Sequence, residues 1–360
     1  MKIITVAGAR PNFMKIAPLI REINSRPETN IKFRLVHTGQ HYNENLSQVF
    51  FNELGIPHPD ANLGAGSGTQ AEQTARIMVE FEKDMLANPT DLVIVVGDVN
   101  STMACSIVAK KLITKVAHIE AGIRSFDLTM PEEINRMVTD ALADYFFTTS
   151  SFANDNLRKS GIDSSKIFFV GNIMIDSLVW SSDKIKQPAV FDSQKLTHGK
   201  YFVATLHRPS NVDEPANLKT IFKAIEAGVG DQKVIMPVHP RTAKMLAGIQ
   251  WSSNNIILVE PMGYLEFIYL IKNSLGVITD SGGVQEETTY LGIPCVTLRK
   301  NTERPETVTK GTNELIGDNY PKLRESIGEI RAGKWKRGAI PELWDGKTAQ
   351  RIVDVLAAIK

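Results

Sequence analysis

Ile278-Thr279-Asp280-Ser281-Gly282-Gly283-Val284-Gln285-Glu286-Glu287 reads as the end of a strand, a tight glycine turn and the start of a helix. Glycines let a backbone approach a ligand closely, and the free amides at the positive end of a helix attract an anion, so the segment suits a phosphate. An ordinary Ser N-cap with acids in the first turn accounts for Ser281, Glu286 and Glu287. It does not account for two consecutive glycines. A strand that runs through such a turn into a helix is also one unit of a parallel sheet, and the same rhythm recurs in both directions along the chain.

Short β-branched runs at 2–7, 32–38, 91–97, 115–119, 145–149 and 167–170 alternate with helical patterns in the first half. The series restarts with 201–206, 233–237, 255–259, 275–279 and 294–298, after a helical stretch at 172–186 and a polar segment, Gln187 to Lys200. The expected fold class is therefore α/β with two Rossmann-like domains, divided at 186/187. A last amphipathic helix, Thr348 to Ile359, presents Ile352, Val353, Val355, Leu356 and Ile359 on one face.

A chain of 360 residues with 42% hydrophobic residues has material for two cores. Lys and Arg number 41 against 40 Asp and Glu, so no overall field favours nucleic acid or an anionic membrane. Two cysteines, Cys105 and Cys295, are too few for a disulfide framework or a thiolate metal cluster and fit a reducing cytoplasm. The run Lys2 to Gly8 is shorter than a signal-peptide core, and no stretch of about 18 apolar residues appears.

In open parallel sheets ligands bind beyond the carboxyl ends of the strands. Arg10, Asp98, Glu120, His207, His239 and the Asp280–Gly283 turn all fall at such positions. Each alone is an ordinary strand terminator; their recurrence in both halves points to a shared cleft. Gly8-Ala9-Arg10-Pro11 stands where a G-x-G-x-x-G would be, which argues against a dinucleotide cofactor. Gly346-Lys347-Thr348 resembles the end of a P-loop, but its leading glycine is Pro341. No Asp-x-Asp pair is present and, apart from His37 and His41, the histidines show no metal-ligand spacing, so a reaction without metal or cofactor is expected.

Three carboxylates, Asp98, Glu120 and Glu132, stand in Gly97-Asp98-Val99-Asn100, His118-Ile119-Glu120-Ala121-Gly122 and Pro131-Glu132-Glu133-Ile134-Asn135-Arg136. Pro131 suits a first helical turn, and Ile134, Met137, Val138, Ala141 and Leu142 then make the expected core face. Glu132 and Arg136 lie four apart on another side, a spacing that also suits a surface ion pair, the reading that fits Glu133. Arg304, ahead of a proline in a charged loop, offers the planar donor fork that clamps a diphosphate.

The ordered set Gly8-Ala9-Arg10-Pro11, Thr38-Gly39-Gln40-His41, Gly97-Asp98, His118-Ile119-Glu120-Ala121-Gly122, Pro131 to Arg136, Asp280 to Glu287 and Thr302-Glu303-Arg304-Pro305-Glu306 resembles the non-hydrolysing UDP-N-acetylglucosamine 2-epimerases over nearly the whole chain. The resemblance implies a glycosyltransferase-B-type fold with a central cleft. Residues 1–186 would form an N-terminal domain joined by a returning C-terminal helix, 347–360, and residues 187–346 would bind UDP. It also implies a cytoplasmic homodimer, and the interconversion of UDP-N-acetylglucosamine and UDP-N-acetylmannosamine for cell-surface polysaccharide precursors.

The sugar C2 proton becomes removable only as UDP departs from C1, so the implied path eliminates UDP to a 2-acetamidoglucal and adds it back. By motif position Arg10, His207, Ser281, Gly282, Gly283 and Arg304 would hold UDP, with Glu287 on the ribose. Asp98, Glu120 and Glu132, with His207, would do the chemistry, and Arg136 would orient them. Such crowded carboxylates are expected to raise one another's pKa. In bacterial relatives a second, activating sugar nucleotide is bound near positions matching Gln40, Arg208 and His239. The chain departs from the family's pattern at Asn12, often Glu, and at His207-Arg208-Pro209-Ser210-Asn211. A sister epimerase of a modified sugar such as UDP-2,3-diacetamido-glucuronic acid, a glycosyltransferase of the same fold and a nucleotide-sugar sensor are the competing readings.

Overall fold

The computed structural model describes residues 1–40, 51, 53–238, 243, 246 and 253–359. Two compact units emerge: Met1–Val179 with Glu342–Lys360, and Trp180–Pro341.

The first unit is built on a parallel sheet of seven strands among the described residues: β1 (Lys2–Ala7), β2 (Lys32–His37), β3 (Ala61–Asn62), β4 (Leu92–Val96), β5 (Lys115–Ile119), β6 (Tyr145–Thr148) and β7 (Ile167–Phe169). Their order is β3-β2-β1-β4-β5-β6-β7. The centre is occupied by β4, Leu-Val-Ile-Val-Val, buried at every position as a strand covered on both faces must be. Ile3 pairs with Leu92 and His118 with Val95, which aligns the carboxyl ends of β1, β4 and β5. The order reverses between β1 and β4, the switch point at which such sheets open a crevice.

Helices pack on this sheet by their apolar or small faces. The helix Gln70–Ala87 starts on a capping box in which Thr69 and Glu72 satisfy each other's amides (3.0 and 3.3 Å), and it buries Ile77, Phe81 and Met85. The helix Thr348–Ala358 buries Ile352, Val353 and Leu356 and packs on the helix Arg10–Ser25. Its first amides, Thr348 and Ala349, donate to Asp176 (3.1 and 2.7 Å).

The second unit carries six described strands: β8 (Tyr201–Thr205), β9 (Lys233–Pro237), β10 (Ile256–Val259), β11 (Gly276–Thr279), β12 (Cys295–Thr297) and β13 (Asn313–Leu315), ordered β10-β9-β8-β11-β12-β13. The strand order repeats that of the first unit. Its switch point lies between β8 and β11, from which the His207 and Asp280 loops leave. Phe202, Ala204, Val234, Ile278, Val296, Leu323 and Ile327 form the core. The two-residue β3 and three-residue β13 lie at the outer edges and escape the sequence reading because Ala61-Asn62 and Asn313-Glu314-Leu315 lack a β-branched run. Among the described residues no helix is long and apolar enough to cross a membrane.

Candidate active site

In the first unit the site begins with three turns at adjacent strand ends. After β1, the Asn12 amide oxygen accepts from the Gly8 and Ala9 amides (3.3 and 3.0 Å), and its NH2 donates to Val96 O at the end of β4 (3.0 Å). An asparagine does here what a glutamate could not, because it donates and accepts at once. After β4, Gly97 has φ +69°, and a Cβ there would meet Lys15 Nζ at 3.2 Å and Glu120 Oε2 at 3.5 Å. Asp98 follows with its side chain 24% exposed.

After β5, Glu120 has φ +67°, a left-handed conformation that costs a non-glycine residue about 1–2 kcal/mol. Neighbouring bonds over-determine it: Gly97 N donates to Ile119 O (3.1 Å), Ala121 N to Phe147 O (3.1 Å) and Gly122 N to Asp140 Oδ2 (3.1 Å). The Glu120 carboxylate is 1% exposed and pairs with Lys15. Lys15 was not among the residues singled out from the sequence. Its signal is a single cation inside the apolar run Phe13-Met14-Lys15-Ile16-Ala17.

The helix Pro131–Leu142 corrects the sequence reading. Ile134 and Met137, expected in the core, are 42% and 46% exposed, whereas Glu133, Asn135, Arg136, Thr139 and Asp140 are buried. Arg136 gives Nε and Nη2 to Asp98 Oδ2 (3.0 and 2.6 Å) and Nη1 to Glu133 (2.5 Å). Glu133 also accepts from the Ser125 and Phe126 amides (2.9 and 3.1 Å), so it is a buried anchor and not a surface ion-pair residue. Asn135 donates to Asp98 O (2.9 Å). Glu132 is exposed on this helix. The polar face turns inward because the strand-end turns offer it partners, and a satisfied ionic network outweighs one apolar stripe.

Behind these groups His118 of β5 lies between Asp140 Oδ1 (2.7 Å) and Gly97 O (2.8 Å). Burial pushes the Asp140 carboxyl up, but His118 and Arg124 (2.6 Å) outweigh it and hold its pKa below the ordinary value. Gln40 accepts from Ser101 Oγ (2.9 Å), which also meets Thr38 Oγ1 (2.7 Å). The Arg10 side chain and His239 lie outside the described residues.

In the second unit Asp280 is wholly buried and organises the loop after β8. It accepts from the amides of His207 (3.1 Å) and Arg208 (2.9 Å) and from Asn211 Nδ2 (2.9 Å), and it pairs with His207 Nδ1 at 2.8 Å. Burial raises its pKa, yet the His207 and Asn211 hydrogen bonds bring it below the ordinary value. The His207 side chain remains 59% exposed. Arg208 also sends Nε to Asp280 O (3.3 Å).

Ser281 is the N-cap residue of the helix Gly282–Leu291, but its side chain makes no capping bond, and no acid lies in the first turn. Glu286 and Glu287 fall further in and are buried. The two glycines differ in purpose. A Cβ at Gly282 would stand 2.9 Å from Glu303 Oε1 and 3.3 Å from Arg304 Nη1, whereas at Gly283 it would meet nothing within 4 Å. The half-buried turn commits its Ser281 amide to Thr279 Oγ1 (3.0 Å), while the Gly282 and Gly283 amides open the helix, where an anion is favoured.

Arg304 is buried, pairing with Glu286 and, at 2.9 Å, with Glu303, which Arg299 also holds at 2.6 Å. Burial pushes the Glu287 carboxyl up to about 8; Tyr264 moderates the rise and Glu286 adds to it. Each unit thus places charge at its own switch point: carboxylates backed by cations in the first, and an open helix end backed by buried Glu–Arg pairs in the second.

Residues 21–357 match the sequence profile of a family described as UDP-N-acetylglucosamine 2-epimerase. A relative of that name from Methanocaldococcus jannaschii is 44% identical over 368 residues, 99% of each chain. The UDP-2,3-diacetamido-2,3-dideoxy-D-glucuronate 2-epimerase of Pseudomonas aeruginosa is 39% identical over 362 residues, the full length of both. A crystal structure of the M. jannaschii UDP-GlcNAc 2-epimerase in complex with UDP-GlcNAc and UDP is similar with a TM-score of 0.88 and 42% identity, covering 99% of this chain and 100% of that one.

Proposed function

The chain belongs to the UDP-N-acetylglucosamine 2-epimerase family, and on that premise we propose that it interconverts UDP-N-acetylglucosamine and UDP-N-acetylmannosamine. UDP leaves C1 as the C2 proton is removed, giving a 2-acetamidoglucal. Return of UDP to C1, with a proton delivered to the opposite face of C2, yields the epimer. No net oxidation occurs and no atom is lost.

Asp98, Glu120 and Glu132 supply the proton-transfer groups. The observation that carries this assignment is the pair of carboxylates after adjacent strands β4 and β5, each backed by its own buried cation, Arg136 for Asp98 and Lys15 for Glu120. Each cation holds its carboxylate at hydrogen-bond distance, and the strand-end turn fixes the geometry. The second unit holds the leaving group. The Ser281 hydroxyl and the amides at Gly282 and Gly283 receive phosphate, His207 meets the diphosphate as Asp280 orients it, and Glu287 takes the ribose hydroxyls. Arg304, fixed by Glu286 and Glu303, stands directly behind the glycine turn, where it meets the diphosphate side of the site. The protein acts as a cytoplasmic homodimer that supplies precursors of cell-surface polysaccharide.

Proton NMR of UDP-N-acetylglucosamine with the protein in deuterated water tests the reaction: the C2 epimer should appear carrying deuterium at C2. An epimer that keeps its original hydrogen excludes this path. Asp98→Asn and Glu120→Gln should each lower kcat by about 10²–10⁴-fold. The diacetamido-glucuronate enzyme of P. aeruginosa motivates assaying that sugar nucleotide in parallel. Preferential turnover of it would move the assignment to that substrate within the same mechanism.

A further inference from the structure

His118 is the fourth residue of β5, two before Glu120, and is wholly buried. Both of its ring nitrogens face oxygen acceptors: Asp140 Oδ1 at 2.7 Å from Nδ1, and Gly97 O at 2.8 Å from Nε2. A neutral imidazole carries one N–H and one lone pair, so it satisfies one of these oxygens and turns its lone pair on the other. Only the imidazolium donates to both.

The charge count of the surrounding cluster leads to the same state. Asp98, Glu120, Glu133 and Asp140 contribute four carboxylates, while Lys15, Arg124 and Arg136 contribute three cations, in three sets of ion pairs around the turns of the first unit: Lys15–Glu120, Arg124–Asp140 and Asp98–Arg136–Glu133. Most of these groups are shielded from water, where an unbalanced charge is expensive. A cationic His118 is the fourth positive charge that brings the described groups to balance.

We propose that His118 is a positioning residue for the C2 proton transfer, held as an imidazolium that locks the Asp98 turn to the Glu120 turn. This rests on the assignment of Asp98 and Glu120 as proton-transfer groups. Nε2–H grips the carbonyl of Gly97, the residue before Asp98. The Gly97 amide in turn donates to Ile119 O, the residue before Glu120. Asp140, held through Nδ1–H, also accepts the Gly122 amide two residues beyond Glu120. One ring thus fastens both carboxylate-bearing turns at their roots and touches neither carboxylate. The groups assigned to UDP belong to the second unit and do not involve it.

The test combines kinetics of His118→Asn with ¹⁵N spectra of histidine-labelled wild-type protein. Loss of register of about 1 Å between catalytic groups costs about 10²-fold, so kcat should fall by about that factor while KM for the UDP-sugar and Kd for UDP stay unchanged. At the assay pH one histidine should show protons on both ring nitrogens, and its signals should vanish in the variant. A bare ring nitrogen on His118 overturns the imidazolium. A variant with reduced stability but undiminished kcat for its folded fraction reduces the role to a structural one and overturns the proposal. Should His118→Asn fail to fold, the wild-type ring signals decide. Undiminished epimerisation by both Asp98→Asn and Glu120→Gln would instead overturn the functional reading, and the positioning role with it, while leaving the ring signature intact.

Discussion

Asp140 in the first unit and Glu287 in the second are both buried carboxyls on helices behind strand-end turns, yet their acidities move in opposite directions. Asp140 sits between His118 and Arg124 and lies below its ordinary pKa. Glu287 sits against Tyr264 and beside Glu286, and rises from 4.5 to about 8. Burial pushes both upward; the neighbours decide the outcome. A buried carboxylate given two cations stays ionised and anchors structure, whereas one given a phenol and another acid holds its proton.

The pH dependence of stability separates the two most widely. Glu287 binds a proton more tightly folded than unfolded, so its contribution is fully present below about pH 4.5 and is lost as pH rises towards 8. At about 1.4 kcal/mol per unit the loss is at most about 5 kcal/mol. Glu287→Gln should flatten that fall, read from urea unfolding at a series of pH values. An unchanged slope would place the titration elsewhere. Asp140 has the reverse sign: its stabilisation is present above its unfolded pKa of about 3.8 and disappears as pH drops through the depressed folded value.

Next in size is the removal of the Asp140 charge. Asp140→Asn leaves Arg124 and His118 without their shared anion and should cost about 3–5 kcal/mol at neutral pH in denaturant unfolding. A cost below about 1 kcal/mol would put this carboxylate on a par with a surface ion pair. The smallest effect is expected on the same helix, one turn earlier. Met137→Ser should change stability by no more than about 0.5 kcal/mol, because Met137 faces outward. A loss of about 2–5 kcal/mol would return it to the core face that its spacing suggested.

That helix shows why only part of the site was legible. The periodicity of Ile134, Met137, Val138, Ala141 and Leu142 correctly announces a helix at 131–142, and the same rule applied to 348–358 also names the buried Ile352, Val353 and Leu356. The rule fails at Pro131–Leu142 because it ranks residues by apolarity, while the inward face is chosen by partners over twenty residues away in sequence. Asp98 waits for Arg136, and His118 for Asp140. Lys15 and His118 escaped assignment for the same reason, and Asp280, placed at a strand end, gained a role only once its distant partner His207 was set against it.

Local chemistry written in the chain determined the βα alternation, the longer strands to within a residue or two at their ends, the glycine turn at 282–283 and the polar residues after each strand, because strand and turn preferences act over a few neighbours. Tertiary structure alone decided which face of the 131–142 helix turns inward, which glutamate of the 132–133 pair is buried, and which way each buried carboxyl titrates. Those outcomes depend on desolvation and on charges a few ångströms away in space, and neither quantity exists until the sheet has brought remote segments together.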